Sequence, residues 1–411
     1  MSYMKNKISF ASVIAGLVGL LILPVVAAVA ATAPAAPGGS GLIPVTYEQT
    51  KRINVSVVST SPEIAVLMQN AFALHGGFDS TNAAAFQYIL HFDPAGANKI
   101  TATIEPKTVG GTSYSVTVTA ATAREAAYRA GDAVVEKFTQ LPGFFAGKLA
   151  FVSERTKARE IWTSDLLGQQ TTQLTADKKI SAVPRWSPDG MKLLYTGYYR
   201  TGFPDVILFD LATQKRTVFA DYQGTNTGGT FSPDGKSVAM ILSTKDGGTE
   251  LFVGDAAGNN LRRLTHEATS KASPTWSPDG QRIAIADDAR GGHPLIFQIP
   301  ATGGALRAVQ TNISNYCADP AWNPRDPNQV AFMAEVGTQL LIAVYSFKDA
   351  KTTVFDAAEG SDPCWLNDGR HLVFTHRSGG MDNLWILDTF TKKLKQLTKL
   401  GASEAAWVYV K

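Results

Sequence analysis

The sequence predicts a mainly β protein, a six-bladed β-propeller preceded by a small α/β domain. Three observations carry this prediction. The phrase W/F-S-P-D-G occurs three times, with its aromatic at Trp186, Phe231 and Trp276, 45 residues apart each time. Weaker copies follow at Trp322, Trp365 and Trp407, at intervals of 46, 43 and 42, giving six units. Each unit spells four short strands: an apolar strand after the turn ("KLLYTG"), a second ("DVILFDL"), a third ending in forms such as "RRLT", and the aromatic strand of the next phrase. Four strands per 40–50 residues is the pattern of a propeller blade.

The elements follow in order. Lys5 and Lys7 precede an uncharged run closing on Ala28-Val29-Ala30, so residues 1–30 read as a secretory signal peptide. The competing reading is a retained membrane anchor, since the uncharged run continues to Glu48. Residues 31–44, rich in Ala, Pro and Gly, read as a flexible tether.

Residues 45–145 form the small α/β domain: strand 53–60, helix 62–74, strands "AFQYILHF", "KITATIEP" and "SYSVTVTA", then a helix running to Pro142-Gly143. Pro62 suits a first helical turn. Thr122, with Glu125 three residues on, suits the start of the second helix.

The propeller occupies 148–411. In S-P-D-G the Pro presets φ, the Asp can bond the amides that follow, and the Gly takes the positive-φ position. The preceding aromatic is read as a wedge between neighbouring sheets, so Asp189, Asp234 and Asp279 belong to architecture rather than to chemistry. The region opens on a second-position strand, "KLAFVS", and ends on an innermost one, "AAWVYV". The last strand is therefore expected to complete the first blade and leave no open edge.

Composition excludes several classes. Lys and Arg number 38 against 35 acidic residues, with no basic tract, so nucleic acid is not expected. No G-x-S-x-G, GxxxxGK[ST], HExxH or CxxC occurs. His371 and His376 lie five apart on one strand and face opposite ways, which speaks against a metal pair. Neither catalytic residue, metal nor cofactor is expected. Cys317 lies five residues before its aromatic and Cys364 one before its own, an offset of about 13 Å along the strand. That exceeds disulfide reach, so two free thiols are expected.

With its export signal, the helix "RAGDAVVEKFTQLPGFFAGKLAFVSE" leading directly into the first blade, and six blades marked by W-S-P-D-G or its weaker copies, the chain resembles the TolB family, periplasmic components of the Tol–Pal system. The resemblance spans about residues 45–411 and is strongest in 129–280. It implies a periplasmic, non-catalytic scaffold of the cell envelope that acts in envelope integrity and division and binds a Pal-like peptidoglycan-associated lipoprotein at the propeller mouth. A monomer without stable membrane insertion after cleavage is expected. A TolA-like contact is not supported, because the tether stands where the family places its contact segment. By offset, a family His corresponds to Thr225 and a family Thr to Ala272, so Pal-like binding is implied by the fold and not by matched contact residues. The alternative is a propeller enzyme or sensor acting on envelope carbohydrate, which would need His, Arg or Lys converging on the channel.

Loops carry recognition, and those before the innermost strands gather at one mouth. Three residues before each aromatic stand Val183, Gly228, Ser273, Asp319, Asp362 and Glu404, so three consecutive blades place acids there. Asp319, Asp362 and Glu404 form the expected partner-binding arc, flanked by Thr225, Asn226, Lys271, Asn315 and Tyr316. A basic partner or a cation would suit it.

Overall fold

A computed structural model describes residues 50–410 apart from 81–85, 109–110, 246 and 289–291. The signal peptide, the tether and the first residues of the α/β domain lie outside the described residues.

The α/β domain is built from β1 (Ile53–Val58), α1 (Pro62–Leu74), β2 (Phe78–Asp79), β3 (Tyr88–Gly96), β4 (Lys99–Pro106), β5 (Tyr114–Thr119) and α2 (Ala123–Thr139). Alternation in β1 buries Ile53, Val55 and Val57 beneath the helices. The sheet order is β2-β1-β3-β4-β5, with β1 parallel to both neighbours. The two-residue β2 was not foreseen; it is too short to carry a periodic signal. Ser61 caps α1 and Pro62 opens it. Thr122 caps α2 by accepting from Glu125 N at 3.1 Å. The reciprocal half of the capping box is replaced, because Glu125 instead accepts from Arg129 Nε at 2.9 Å.

Six four-stranded antiparallel sheets follow, and the first is completed by Ser403–Val408 pairing with Lys148–Ser153. The expected closure is therefore the observed one. The inner strands are Ser403–Val408 in blade 1, Ser181–Trp186 in blade 2, Asn226–Phe231 in blade 3, Lys271–Trp276 in blade 4, Cys317–Trp322 in blade 5 and Ser361–Trp365 in blade 6. Each packs against the next around a closed ring.

The repeated phrase does the work its chemistry predicts. In "SPDG" of blade 2, Gly190 sits at φ 66° and Asp189 Oδ1 accepts from Met191 N at 3.0 Å. Ser187 adds a contact that turn chemistry alone did not require: its hydroxyl donates to Asp189 Oδ1 at 2.5 Å and accepts from Lys192 N at 2.9 Å. The aromatics are wedges with a polar tip. Nε1 of Trp186, Trp276 and Trp365 donates to Ala406 O, Thr230 O and Ala321 O at 3.3, 3.1 and 3.0 Å. Each acceptor immediately precedes the aromatic of the neighbouring blade, so the wedge also ties blade to blade.

A second repeated device joins strands within a blade. Thr175, Thr265 and Thr398, the threonines of the "LT" endings, each stand 15 residues after Glu160, Glu250 and Asn383. Thr175 Oγ1 donates to Glu160 at 2.6 Å, and Thr265 Oγ1 donates to Glu250. Each threonine hydroxyl also accepts a backbone N–H from the neighbouring strand of its blade, from Ile161, Leu251 and Leu384 respectively.

The α/β domain packs on the turn side of blades 6 and 1 and shares their core. Asn367 Nδ2 donates to Gly143 O at 2.8 Å, and Tyr409 OH donates to Asp132 Oδ2 at 3.0 Å. Gly147 lies so close to Trp407 that a Cβ there would stand 1.9 Å from the indole, so only glycine passes. The opposite mouth is left uncovered among the described residues.

Candidate functional site

The mouth is shaped by an irregularity shared by all six inner strands. Each shifts register at the second and third residues before its aromatic, which is a β-bulge. The first bulge residue is left-handed in every blade: Val183, Gly228, Ser273, Asp319, Asp362 and Glu404 have φ between 51° and 67°. Glycine takes this region freely, whereas each other side chain costs on the order of 1–3 kcal/mol there. Pro184, Pro274, Pro320 and Pro363 occupy the second bulge position. A proline inside a central strand is tolerated only where no ladder bond is needed, and that was the legible sign of the bulge. The residues expected at loop entries therefore stand inside the strands.

Three of the six, Ser273, Asp319 and Asp362, line one cavity of about 190 Å³ on the axis, with Arg185, Pro363 and Trp365 also in its wall. Ser273 Oγ donates to Asp319 Oδ1 at 3.2 Å, and Ser361 Oγ donates to Asp362 Oδ2 at 2.8 Å. Glu404 is differently placed. It pairs with Arg159 and accepts from Val183 N at 2.6 Å. Burial and the neighbouring Asp362 charge push the Asp319 carboxyl up to about 6, against the Ser273 hydroxyl and the Arg185 guanidinium. Burial likewise raises Glu404, with Arg159 opposing.

A raised carboxyl contributes stability that is full below its unfolded value near 3.8 and lost as pH rises through about 6. Asp319→Asn removes that loss, keeps an acceptor for Ser273, and places in the left-handed region a residue type that favours it. The variant should be more stable than the parent at pH 7, by on the order of 1 kcal/mol, with no such gain at pH 4. Urea melts at both pH values measure this. Equal or lower stability at pH 7 would show that the carboxylate is already compensated.

The remaining expected contacts divide. Asn315 is exposed, and Thr225 and Tyr316 are half-buried on the mouth loops. Asn226 and Lys271 are not on the surface, and their expected role as contacts is corrected here. Asn226 is 1% exposed, and its amide is saturated: Nδ2 donates to Tyr222 O at 2.7 Å and Pro204 O at 3.2 Å, and Oδ1 accepts from Tyr222 N at 2.9 Å. Lys271 is 3% exposed, and its Nζ stands 3.2 Å from Glu250, 3.4 Å from Asp287 and 3.5 Å from Glu267. Both stand five residues before the aromatic, as does Cys317, whose thiol lies 3.6 Å from Thr311 Oγ1. At this position the side chain turns inward and anchors the loop arriving from the previous blade. Cys317 and Cys364 are both free thiols, and burial raises both.

A second polar cluster lies under the α/β domain. Among the described residues, His75, Asp368 and His371 stand close enough to share an ion. His371 Nδ1 is 2.5 Å from Asp368 Oδ2, and its Nε2 accepts from Gly76 N at 3.3 Å. His75 Nδ1 accepts from Gly77 N at 3.1 Å. Three of the four ring nitrogens are thus engaged by the protein, which makes the group an interdomain latch. Arg370 completes it, binding Asp388 at 2.9 and 2.6 Å. Burial, with His371 and Arg370, lowers His75 well below its ordinary value. Burial opposes His371, but Asp368 and Asp388 raise it. His376 does point away, its Nδ1 2.6 Å from Glu359 O.

Comparison with known proteins was made on this geometry. A family model described as the TolB beta propeller domain matches residues 135–411. The Tol-Pal system protein TolB of Alcanivorax borkumensis is 29% identical over 123 residues, 29% of this chain and 28% of that one. Its namesake in Rickettsia prowazekii is 34% identical over 123 residues, again 29% and 28%. These matches span little more than a quarter of the relatives' length. The crystal structure of TolB from Acinetobacter baumannii superposes with a TM-score of 0.76 at 22% identity, over 87% of this chain and 96% of that one, a likeness of fold.

Proposed function

The chain belongs to the TolB β-propeller family, and from that premise we propose that it is a non-catalytic scaffold of the cell envelope, holding a partner protein at the mouth of its ring. The periplasm is the proposed compartment, and a Pal-like peptidoglycan-associated lipoprotein is the proposed partner. No helix of the described residues is long and apolar enough to cross a membrane.

One observation supports this reading above others. The mouth loops are fixed from beneath by buried anchors, Asn226, Lys271 and Cys317, while the α/β domain occupies the other side. A preorganised rim loses little freedom when a protein docks on it. The carbohydrate-acting alternative needs basic groups converging on the channel. The wall instead carries two carboxylates, Asp319 and Asp362, against the single cation Arg185, and Arg159 is already bound to Glu404.

Calorimetric titration of the exported chain with the purified soluble domain of a peptidoglycan-associated lipoprotein tests the proposal. Saturable one-to-one binding is expected. Absence of binding together with breakdown of cell-wall oligosaccharides would replace the scaffold by an enzyme.

A further inference from the structure

Ten large apolar side chains are exposed among the described residues, and six of them lie at the mouth, on its loops or at hairpin ends: Ile180, Phe203, Tyr222, Leu340, Met381 and Leu400. Chance does not distribute them evenly. Leu340 tips blade 5, Met381 tips blade 6, and Leu400 lies on the loop from blade 6 into blade 1. Ile180 leads into blade 2, whose own loops carry Phe203 and Tyr222. The apolar side chains therefore follow four consecutive blades, 5, 6, 1 and 2. Phe203 and Leu400 are 67% and 69% exposed, more than solvation alone favours. Nor are they loosely held. The Asn226 amide bonds both Pro204 and Tyr222, fixing the two loops that present Phe203 and Tyr222.

The axial carboxylates lie within the same sector, on the inner strands of blades 5, 6 and 1. Glu404 has Arg159 as its ion partner. Asp319 and Asp362 stand next to each other, and the side-chain bonds they accept come from the hydroxyls of Ser273 and Ser361. Arg185 bears on the arc from blade 2, and its Nη1 donates to Pro184 O at 2.8 Å. An apolar rim beside two adjacent carboxylates, with Arg185 the one cation in the cavity wall, is complementary to one kind of surface.

We propose that the mouth binds an apolar protein surface bearing a protruding Lys or Arg, whose charged head enters the channel between Asp319 and Asp362 while the surrounding apolar residues cover Phe203, Met381 and Leu400. This deepens the scaffold reading and rests on it. The aliphatic stem of the entering side chain suits the apolar approach, and its cation meets acids that already repel each other. The partner surface thereby supplies a second positive charge where two carboxylates face the single cation Arg185.

The test uses the exported full chain carrying a benzoylphenylalanine photocrosslinker at Phe203 or Leu400, with Val66 on α1, away from the mouth, as the control position. The crosslinked protein is identified by mass, purified and titrated against the parent and an Asp319→Asn, Asp362→Asn double variant. Expected are crosslinks from both mouth positions to a peptide in which a Lys or Arg stands among apolar residues. The double variant should bind on the order of tenfold more weakly, with a flatter salt dependence. Because asparagine suits the left-handed backbone, the variant's melting curve separates lost binding from lost folding. Crosslinking to an acidic surface or to a second copy of this chain would overturn the proposal, as would an unchanged affinity. Crosslinks from Val66 alone would overturn it and the mouth as the docking face, while leaving a scaffold role that uses another face. Absence of crosslinks from all three positions would remove both.

Discussion

Deleting residues 403–411 should yield a chain that no longer melts cooperatively and is digested rapidly by proteases. The deleted strand is the inner strand of blade 1, pairing Ala406 with Ala150, Trp407 with Leu149 and Val408 with Lys148. It buries Ala405, Ala406 and Val408 and accepts the Trp186 indole N–H from blade 2. Its loss opens the ring between blades 6 and 2 and exposes the apolar strand Lys148–Ser153 as an edge. Each large side chain returned to water costs about 1.5–3 kcal/mol, against a total stability of about 5–15 kcal/mol. Circular dichroism melts and timed proteolysis measure the effect. A soluble truncation with a single sharp transition would show that the ring does not depend on this strand.

Lys271→Met should cost about 3–5 kcal/mol, the usual penalty for removing one partner from a buried charge group. Glu250 and Asp287 have no exposed side-chain surface, and both lie within 3.4 Å of the lysine ammonium. Asp287 retains only the Thr269 hydroxyl, 2.7 Å from its Oδ1. The pH dependence has a definite sign. Burial acts to raise Glu250, but Thr265, Ala268 N–H and Lys271 outweigh it and hold the carboxyl below its ordinary 4.5. A depressed carboxyl contributes stability above its unfolded value and loses it as pH falls through its folded one. The difference between parent and variant should therefore be largest at neutral pH and shrink below about 4.5. Urea denaturation across this range measures it. An unchanged midpoint with weakened partner binding would return Lys271 to the surface as a contact.

What the sequence determined is what local chemistry determines. The recurrence of an aromatic at 42–46-residue intervals, followed in the first three units by proline, aspartate and glycine, announced six blades, because each residue acts on its own turn or its own strand end. Ring closure followed from the order of strand types at the two ends of the propeller. The cap of α2 was legible for the same reason, since Thr122 bonds an amide three residues away, whereas the Ser61 cap of α1 came only with the structure. Only the tertiary structure decided which way the inner-strand side chains turn. A bulge in every inner strand breaks the two-residue alternation, so counting back from the aromatic placed Asn226 and Lys271 on the surface when both point inward. Local partners, Tyr222 and Glu267, are joined by ones outside the local sequence: Pro204 is 22 residues from Asn226, and Glu250 is 21 from Lys271. The latch between domains is more distant still, with Gly76 and His371 separated by 295 residues. The channel acids could be named from the sequence. That Glu404 has a cation while Asp319 and Asp362 have hydroxyls depends on Arg159 reaching across the closure of the ring, a contact that exists only once the last strand has joined the first blade.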